Sequence, residues 1–329
     1  MSNHPTIQDM GEFGMHRRIQ EILGPPSDEV LVGMGDDAAV LKPQSSPLVI
    51  TKDAMVEGIH FQREWTSASD LAYKAAASNI SDLAAKGAAP AYGLIAIGLP
   101  KDVLVSWIEE FYQTLADLRE VWGLEIIGGD TVRSPQIWVS ITAIGRQIPP
   151  APVRINAARE GDWILTTGTL GDAAAGLELV QQGKKATARP DESFLIERFL
   201  RPAPRLEEAM FLLKQVQPSA MTDISDGLAR DLPKVCRASG VSAKIDAARL
   251  PASDALKRYT TPSQQYAWQG GEDYELLVTL PPEQANFLLN NWPFKSCPLT
   301  HIGEITPAGQ NIQLQNWEGP PSRGFDHFG

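Results

Sequence analysis

The chain has 329 residues, 43% of them hydrophobic and 21% charged, and 29 Lys and Arg against 40 Asp and Glu leave a net charge of −11. That length suits two domains of ~100–200 residues each, with enough chain to bury a core without covalent staples. The acidic balance argues against sequence-independent binding to nucleic acid or anionic membranes, since a polyanionic ligand would need cations between itself and this surface. Two cysteines, Cys236 and Cys297, rule out a disulfide framework and a CxxC metal site, and they suit a reducing compartment. No apolar run approaches the ~20 residues of a membrane span, and Met1–Pro5 lacks the basic and apolar regions of a signal peptide. The expected location is the cytoplasm.

Short apolar runs alternating with helical patterns mark a mixed α/β fold. Strands are expected at Val30–Val32, Ala39–Leu41 and Leu48–Thr51. A helix capped by Ser69 then runs to about Lys86, with Gly87 as its stop. After a strand at Gly93–Leu99, a second helix spans Leu104–Trp122. Its Trp107, Ile108, Phe111, Leu115, Leu118 and Trp122 share one face and read as core. Strands at Leu124–Ile127 and Ile137–Ile144 complete the set, and Pro-rich Gly145–Val153 closes it. The division expected there gives an N-terminal α/β domain over 1–148 and a C-terminal α/β domain over 149–329. The second domain opens on a strand at Trp163–Thr167, a Gly-bounded turn and a helix at Ala173–Gln182, and Gly183–Glu192 reads as a polar surface loop. No repeat of fixed period is present.

Gly33-Met34-Gly35-Asp36-Asp37-Ala38 fits the loose dinucleotide pattern G-x-G-x-x-A, with Glu57 about 20 residues on. Two carboxylates would repel a pyrophosphate there, and Lys42-Pro43 ends the following segment too early for a crossover helix. The Rossmann assignment is rejected. No G-x-x-x-x-G-K-[ST] loop occurs either, so a nucleotide would be held in another way. Asp36, Asp37, Asp53, Asp82, Asp130, Asp223 and Asp226 all lie within two residues of Gly, Ser or Thr, several at the ends of apolar runs, where a fold can gather them at one edge. Mg²⁺ binds through a few such carboxylates plus substrate phosphates, whereas a single Asp in this setting is more often a turn or cap residue. Gly168-Thr169-Leu170-Gly171-Asp172 has two readings: a turn that offers its amides to a phosphate, or an ordinary βα turn capped by Asp172. His60, a lone histidine beside Phe61, reads by itself as structural or surface.

Taken in order, Gly11-Glu12-Phe13, Gly35-Asp36-Asp37, Asp53 to Phe61, Asn79 to Pro90, Gly128-Gly129-Asp130-Thr131, Pro202 to Arg205, Asp223 to Leu232, Gly270 to Leu276, Ile302 to Thr306 and Gly324-Phe325-Asp326-His327-Phe328 resemble the thiamine-monophosphate kinase family. Its superfamily also holds aminoimidazole ribonucleotide synthetase and selenophosphate synthetase. The resemblance implies a two-domain α/β fold whose N-terminal strands build a homodimer interface. It implies ATP-dependent phosphorylation of thiamine monophosphate with several Mg²⁺ ions. Asp37, Thr51, Asp53, Asp82, Asp130, Asp223 and Asp226 correspond to metal ligands, and Gly129, Asp130, Arg154 and Ser225 to ATP contacts. His60, Glu272 and Phe325 correspond to residues that hold thiamine monophosphate.

The chain departs from the family pattern in two places. Lys52 precedes Asp53 where a hydroxyl residue is usual, which puts a side-chain hydroxyl contact to metal in doubt but not a backbone one. Phe325 stands where Trp or Tyr is common, keeping a stacking face and losing the polar handle. The alternatives are another ATP-using enzyme of the superfamily and a nucleotide-binding regulator without turnover. Selenophosphate synthetase would call for a reactive Cys or Sec near the N-terminus, and the first cysteine here is Cys236.

Overall fold

Asp9 Oδ2 accepts from the Thr6 amide at 2.9 Å while Thr6 Oγ1 accepts from the Asp9 amide, and this capping box starts α1 (Ile7–Leu23). The computed structural model describes residues 5–148, 152–185, 189–309, 312–317 and 319. The chain divides into two compact units, Met1–Leu83 with Ala88–Ile148, and Ala84–Gly87 with Pro149–Gly329.

In the first unit, β1 (Val30–Val32) and β2 (Val40–Leu41) form a short antiparallel ribbon. β3 (Leu48–Val56), β4 (Ala88–Leu99), β5 (Glu125–Arg133) and β6 (Trp138–Gln147) form a sheet in the order β3-β6-β4-β5. β6 is antiparallel to both neighbours. β4 and β5 run parallel, which requires the crossover supplied by α3 (Val105–Trp122). Between β3 and β4 lies α2 (Ala68–Ala85). Its cap is Ser67, not the expected Ser69: Ser67 Oγ accepts from the Asp70 amide at 3.0 Å and Asp70 Oδ2 from the Ser67 amide at 3.3 Å. Ser69 falls inside the first turn, where its Oγ accepts from Thr114 Oγ1.

Strand pleating sorts this sheet into two unlike faces. Met55, Val139, Ile141, Ile95 and Ile97 lie on the inner face and are buried. On α3, Ile108, Phe111, Leu115 and Leu118 are buried too. Leu48, Ile50 and Lys52 alternate with them onto the outer face, where Ile50 is 64% exposed. β3 and β5 continue well past the apolar runs that mark them in sequence. Asp53 and Asp130 therefore lie within strands rather than at strand ends, because the ladders to β6 and β4 carry the backbone on through polar residues.

The second unit contains β7 (Trp163–Thr167), α4 (Asp172–Gln181), α5 (Pro190–Leu200), α6 (Leu206–Gln215), β8 (Ala220–Ile224), α7 (Leu228–Ser239) and β9 (Ser242–Asp246). It continues with α8 (Asp254–Tyr259), α9 (Gln264–Gln269), β10 (Glu275–Leu280), α10 (Pro282–Asn291), β11 (Leu299–Thr306) and β12 (Gln313–Gln315). The sheet order is β12-β9-β11-β7-β10-β8, antiparallel except where β12 joins β9. Alternate residues feed two cores. Ile164 and Leu277 pack with Leu232 and Val235 of α7, and Leu165, Leu276 and Val278 with Leu212 of α6 and Leu288 of α10. The loop expected to reach Glu192 ends sooner. Pro190 opens α5, and Glu192 Oε2 accepts from the Arg189 amide at 2.9 Å.

Candidate functional site

Thr51 and Asp53 share the inner face of β3, two residues apart, and α2 brings Asp82 to the same face. Thr51 Oγ1 donates to Asp82 Oδ2 at 2.5 Å. The Asp53 carbonyl accepts from Ser140 Oγ at 3.0 Å. Lys52 projects from the opposite face, its Nζ 3.5 Å from Thr142 Oγ1. Asp130 stands exposed on β5, at the far edge of the sheet from β3. Three strand spacings, about 14 Å, separate these edges, so Asp53 and Asp130 of one chain do not meet on one ion. Gly129 has no room for a side chain, since a Cβ there would lie 2.0 Å from the Ile95 carbonyl oxygen. Asp37 is exposed, and its amide donates to Asp36 Oδ1 at 2.8 Å. His60 is half-buried in the turn after β3, and its Nδ1 accepts from the Val56 amide at 3.1 Å. That bond assigns a neutral ring with its proton on Nε2.

The second unit laces three turns together. The Glu272 amide donates to the Ser225 carbonyl at 2.7 Å and the Tyr274 amide to the Ile224 carbonyl at 2.9 Å. Gly227, at φ 97, lets the turns close, because a Cβ there would lie 2.8 Å from the carbonyl oxygens of Gln269 and Gly270. Glu272 and Tyr274 adopt left-handed φ values of 66 and 54, a conformation that costs about 1–3 kcal/mol per non-glycine residue and collects at ligand sites. Ser225, Asp226 and Glu272 thus sit on neighbouring turns. Arg154 is exposed, and its carbonyl accepts from the Met221 amide of β8 at 3.1 Å. Asp223 is buried on β8 opposite Leu276 of β10. Phe325 lies outside the described residues.

The phosphate reading of Gly168–Asp172 does not survive; the segment is an ordinary turn from β7 into α4, though without the expected Asp172 cap. The Gly171 and Ala173 amides donate to the buried Asp273 carboxylate at 2.6 and 3.2 Å, and the Gly168 and Leu170 amides to the carbonyls of Pro298 and Pro251. These amides already have partners and are not open to a phosphate. Asp172 caps nothing; its two oxygens accept from Thr169 Oγ1 and Ser253 Oγ, each at 2.6 Å. Burial pushes the Asp273 carboxyl up to about 8, against the two amides that lower it. Glu275, fully buried, receives Thr167 Oγ1, Arg198 and Arg205. Burial works to raise its carboxyl, but Arg205 and Arg198 outweigh that and hold it low. Composition gave no signal for Asp273 or Glu275 beyond the Gly270–Leu276 segment itself, because their partners lie 70 to 108 residues away.

Among the described residues, no group of three or more His, Cys, Asp or Glu side chains is arranged to hold a metal. The Thr51–Asp82 pair nevertheless suits magnesium. It is a half-buried set of hard oxygens, and Mg²⁺ keeps waters and binds through one or two carboxylates plus substrate phosphates rather than in an all-protein cage. Asp226 differs, since Lys234 Nζ lies 2.6 Å from its Oδ2.

Residues 35–147 match the family described as AIR synthase related protein, N-terminal domain, and residues 159–314 match AIR synthase related protein, C-terminal domain. The chain is 40% identical to the thiamine-monophosphate kinase of Escherichia coli O157:H7, over 97% of this chain and 98% of that protein. The crystal structure of thiamine-monophosphate kinase from Stenotrophomonas maltophilia K279a is similar at a TM-score of 0.79 and 39% identity, over 91% of this chain and 94% of that one. AaThiL complexed with AMPPCP and TMP is similar at a TM-score of 0.77 and 33% identity, over 99% and 100%. The chain belongs to the thiamine-monophosphate kinase family, built from the two AIR-synthase-related domains.

Proposed function

We propose that this chain transfers the γ-phosphate of ATP to the phosphate of thiamine monophosphate, forming thiamine diphosphate. What carries the proposal is the full-length likeness to a protein solved with AMPPCP and TMP together. The acceptor's second pKa near ~6 leaves its oxygen largely ionised at neutral pH, so no strong general base is required. The difficulty is bringing one polyanion against another, and the protein's task is positioning and charge neutralisation.

Thr51, Asp53 and Asp82 would hold one magnesium ion on the inner face of β3, and Asp37, Asp130 and Asp223 would serve other ions. Magnesium, when bound, would neutralise the phosphates and align them for in-line transfer. Gly129, Asp130, Arg154 and Ser225 would contact ATP. His60, its Nδ1 engaged by the Val56 amide, would offer its Nε2 proton to the acceptor phosphate. Glu272 and Phe325 would hold the thiamine portion, Phe325 by stacking. We place the enzyme in the cytoplasm as a homodimer, with the domains divided at 148/149. The exposed Leu48, Ile50, Leu94 and Val132 on the outer sheet face support self-association; a monomer by light scattering at micromolar concentration would count against it. No described helix is long and apolar enough to cross a membrane. A coupled assay of ADP release, with and without thiamine monophosphate, tests the function. Release should depend on thiamine monophosphate, and a chain that binds ATP without such release would be a regulator instead.

A further inference from the structure

The Ser225–Asp226 turn has its own cation. Asp231 Oδ2 accepts from the amides of Ser225 and Asp226, both at 3.0 Å, so the buried carboxylate fixes the turn's backbone. Its other oxygen accepts from Lys234 Nζ at 2.8 Å, and the same ammonium lies 2.6 Å from Asp226 Oδ2. Lys234 follows Asp231 by three residues on α7, one helical turn away, so helix geometry brings it back over the turn that precedes the helix. An ammonium is a compact point charge with three donors. Here it bridges the Asp226 and Asp231 carboxylates, at 2.6 and 2.8 Å, and fills the space between them.

We propose that Lys234 is the permanent cation of this turn, occupying the position between Asp226 and Asp231 that a divalent ion would otherwise take. Asp226 then positions Ser225 and ligates no metal in this chain, unlike Asp37, Thr51, Asp53, Asp82, Asp130 and Asp223. This rests on the assignment of the turn to the nucleotide site, and it changes the ion count expected there. Lys234 is half-exposed, so its removal spares the core.

The experiment counts bound Mn²⁺ per chain by electron paramagnetic resonance, with AMPPCP present, for the wild type, Lys234→Ala, Lys234→Arg, Asp226→Asn and the Lys234→Ala/Asp226→Asn double variant. Circular dichroism confirms that each variant is folded. Lys234→Ala should bind one ion more than the wild type, the double variant should lose that ion again, and Lys234→Arg and Asp226→Asn should match the wild type. An unchanged count in Lys234→Ala, or one ion fewer in Asp226→Asn, would overturn the proposal. Neither count uses turnover, so failure here is separate from failure of the kinase assignment, which ADP release decides.

Discussion

The Thr51 hydroxyl donates to Asp82 Oδ2 at 2.5 Å, joining the edge strand β3 to α2. This contact aims a carboxylate and a hydroxyl into one half-buried space, with Asp53 two residues along the same strand face. If these oxygens hold magnesium, Asp82→Asn should fold normally and demand far more magnesium. Loss of one charge-stabilising group typically costs ~2.7–4 kcal/mol in the transition state, or about 10²–10³ in rate. A magnesium titration of activity checks this, and near-wild-type turnover at low magnesium would remove Asp82 from the metal set.

Lys52 lies next to Asp53 yet projects from the opposite face, toward Thr142. Its charge is therefore directed away from Thr51 and Asp82. Restoring the hydroxyl residue usual in the family, Lys52→Thr, should leave kcat and the KM for ATP within about twofold, well under the ~1.4 kcal/mol that a tenfold change represents. A tenfold fall in kcat/KM would instead place the ammonium on the phosphates.

Asp273 predicts a pH effect of definite sign. Burial raises its carboxyl to about 8 in the folded chain, from the 3.8 of an ordinary Asp side chain. Between those values the unfolded chain ionises this group and the folded chain keeps it protonated. Its stabilising contribution is therefore complete below about 4 and is lost as pH rises toward 8. Asp273→Asn removes that dependence. The variant is less stable overall, since the Gly171 or Ala173 amide loses its acceptor, at a cost of about 1–3 kcal/mol. The wild-type Tm should nonetheless fall relative to the variant's from pH 5 to pH 8. Parallel curves would show that Asp273 is ionised throughout.

Glu275 is enclosed, with Arg205 contributing Nε at 2.6 Å and Arg198 contributing NH2 at 2.7 Å. Removing one partner of such a buried pair leaves charge uncompensated and costs about 3–5 kcal/mol. Arg205→Met should lower the urea midpoint accordingly, toward the smaller value because Arg198 remains. No shift in midpoint would mean that Arg198 and Thr167 alone satisfy the carboxylate.

Much of the fold is legible wherever one face is apolar. Trp163–Thr167 is found as a short apolar run, and the Ile108, Phe111, Leu115 stripe by its helical period. Legibility fails where charge interrupts a strand, as at Lys52-Asp53 and at Gly128–Asp130, because ladder pairing and not side-chain period keeps the backbone extended there. The α2 cap was available in sequence, since Asp70 follows Ser67 at capping-box spacing, whereas the residue three after Ser69 is Ala72. Asp273 could not have been placed by spacing, for its amide partners belong to a turn a hundred residues earlier. The individual acidic residues were readable. Their grouping was not: Thr51 joins Asp82 across two elements, while Asp130 stands at the other edge of the sheet.

The anion-against-anion mechanism is decided at the acceptor. No base suited to an alcohol is assigned, and an unphosphorylated acceptor lacks the oxygens that would bridge magnesium. The measurement is product analysis by chromatography, with thiamine and thiamine monophosphate offered separately alongside ATP and magnesium. Thiamine diphosphate should form from the monophosphate, and free thiamine should remain unphosphorylated. Efficient phosphorylation of free thiamine, or no diphosphate from the monophosphate, would contradict the assigned acceptor and the mechanism built on it.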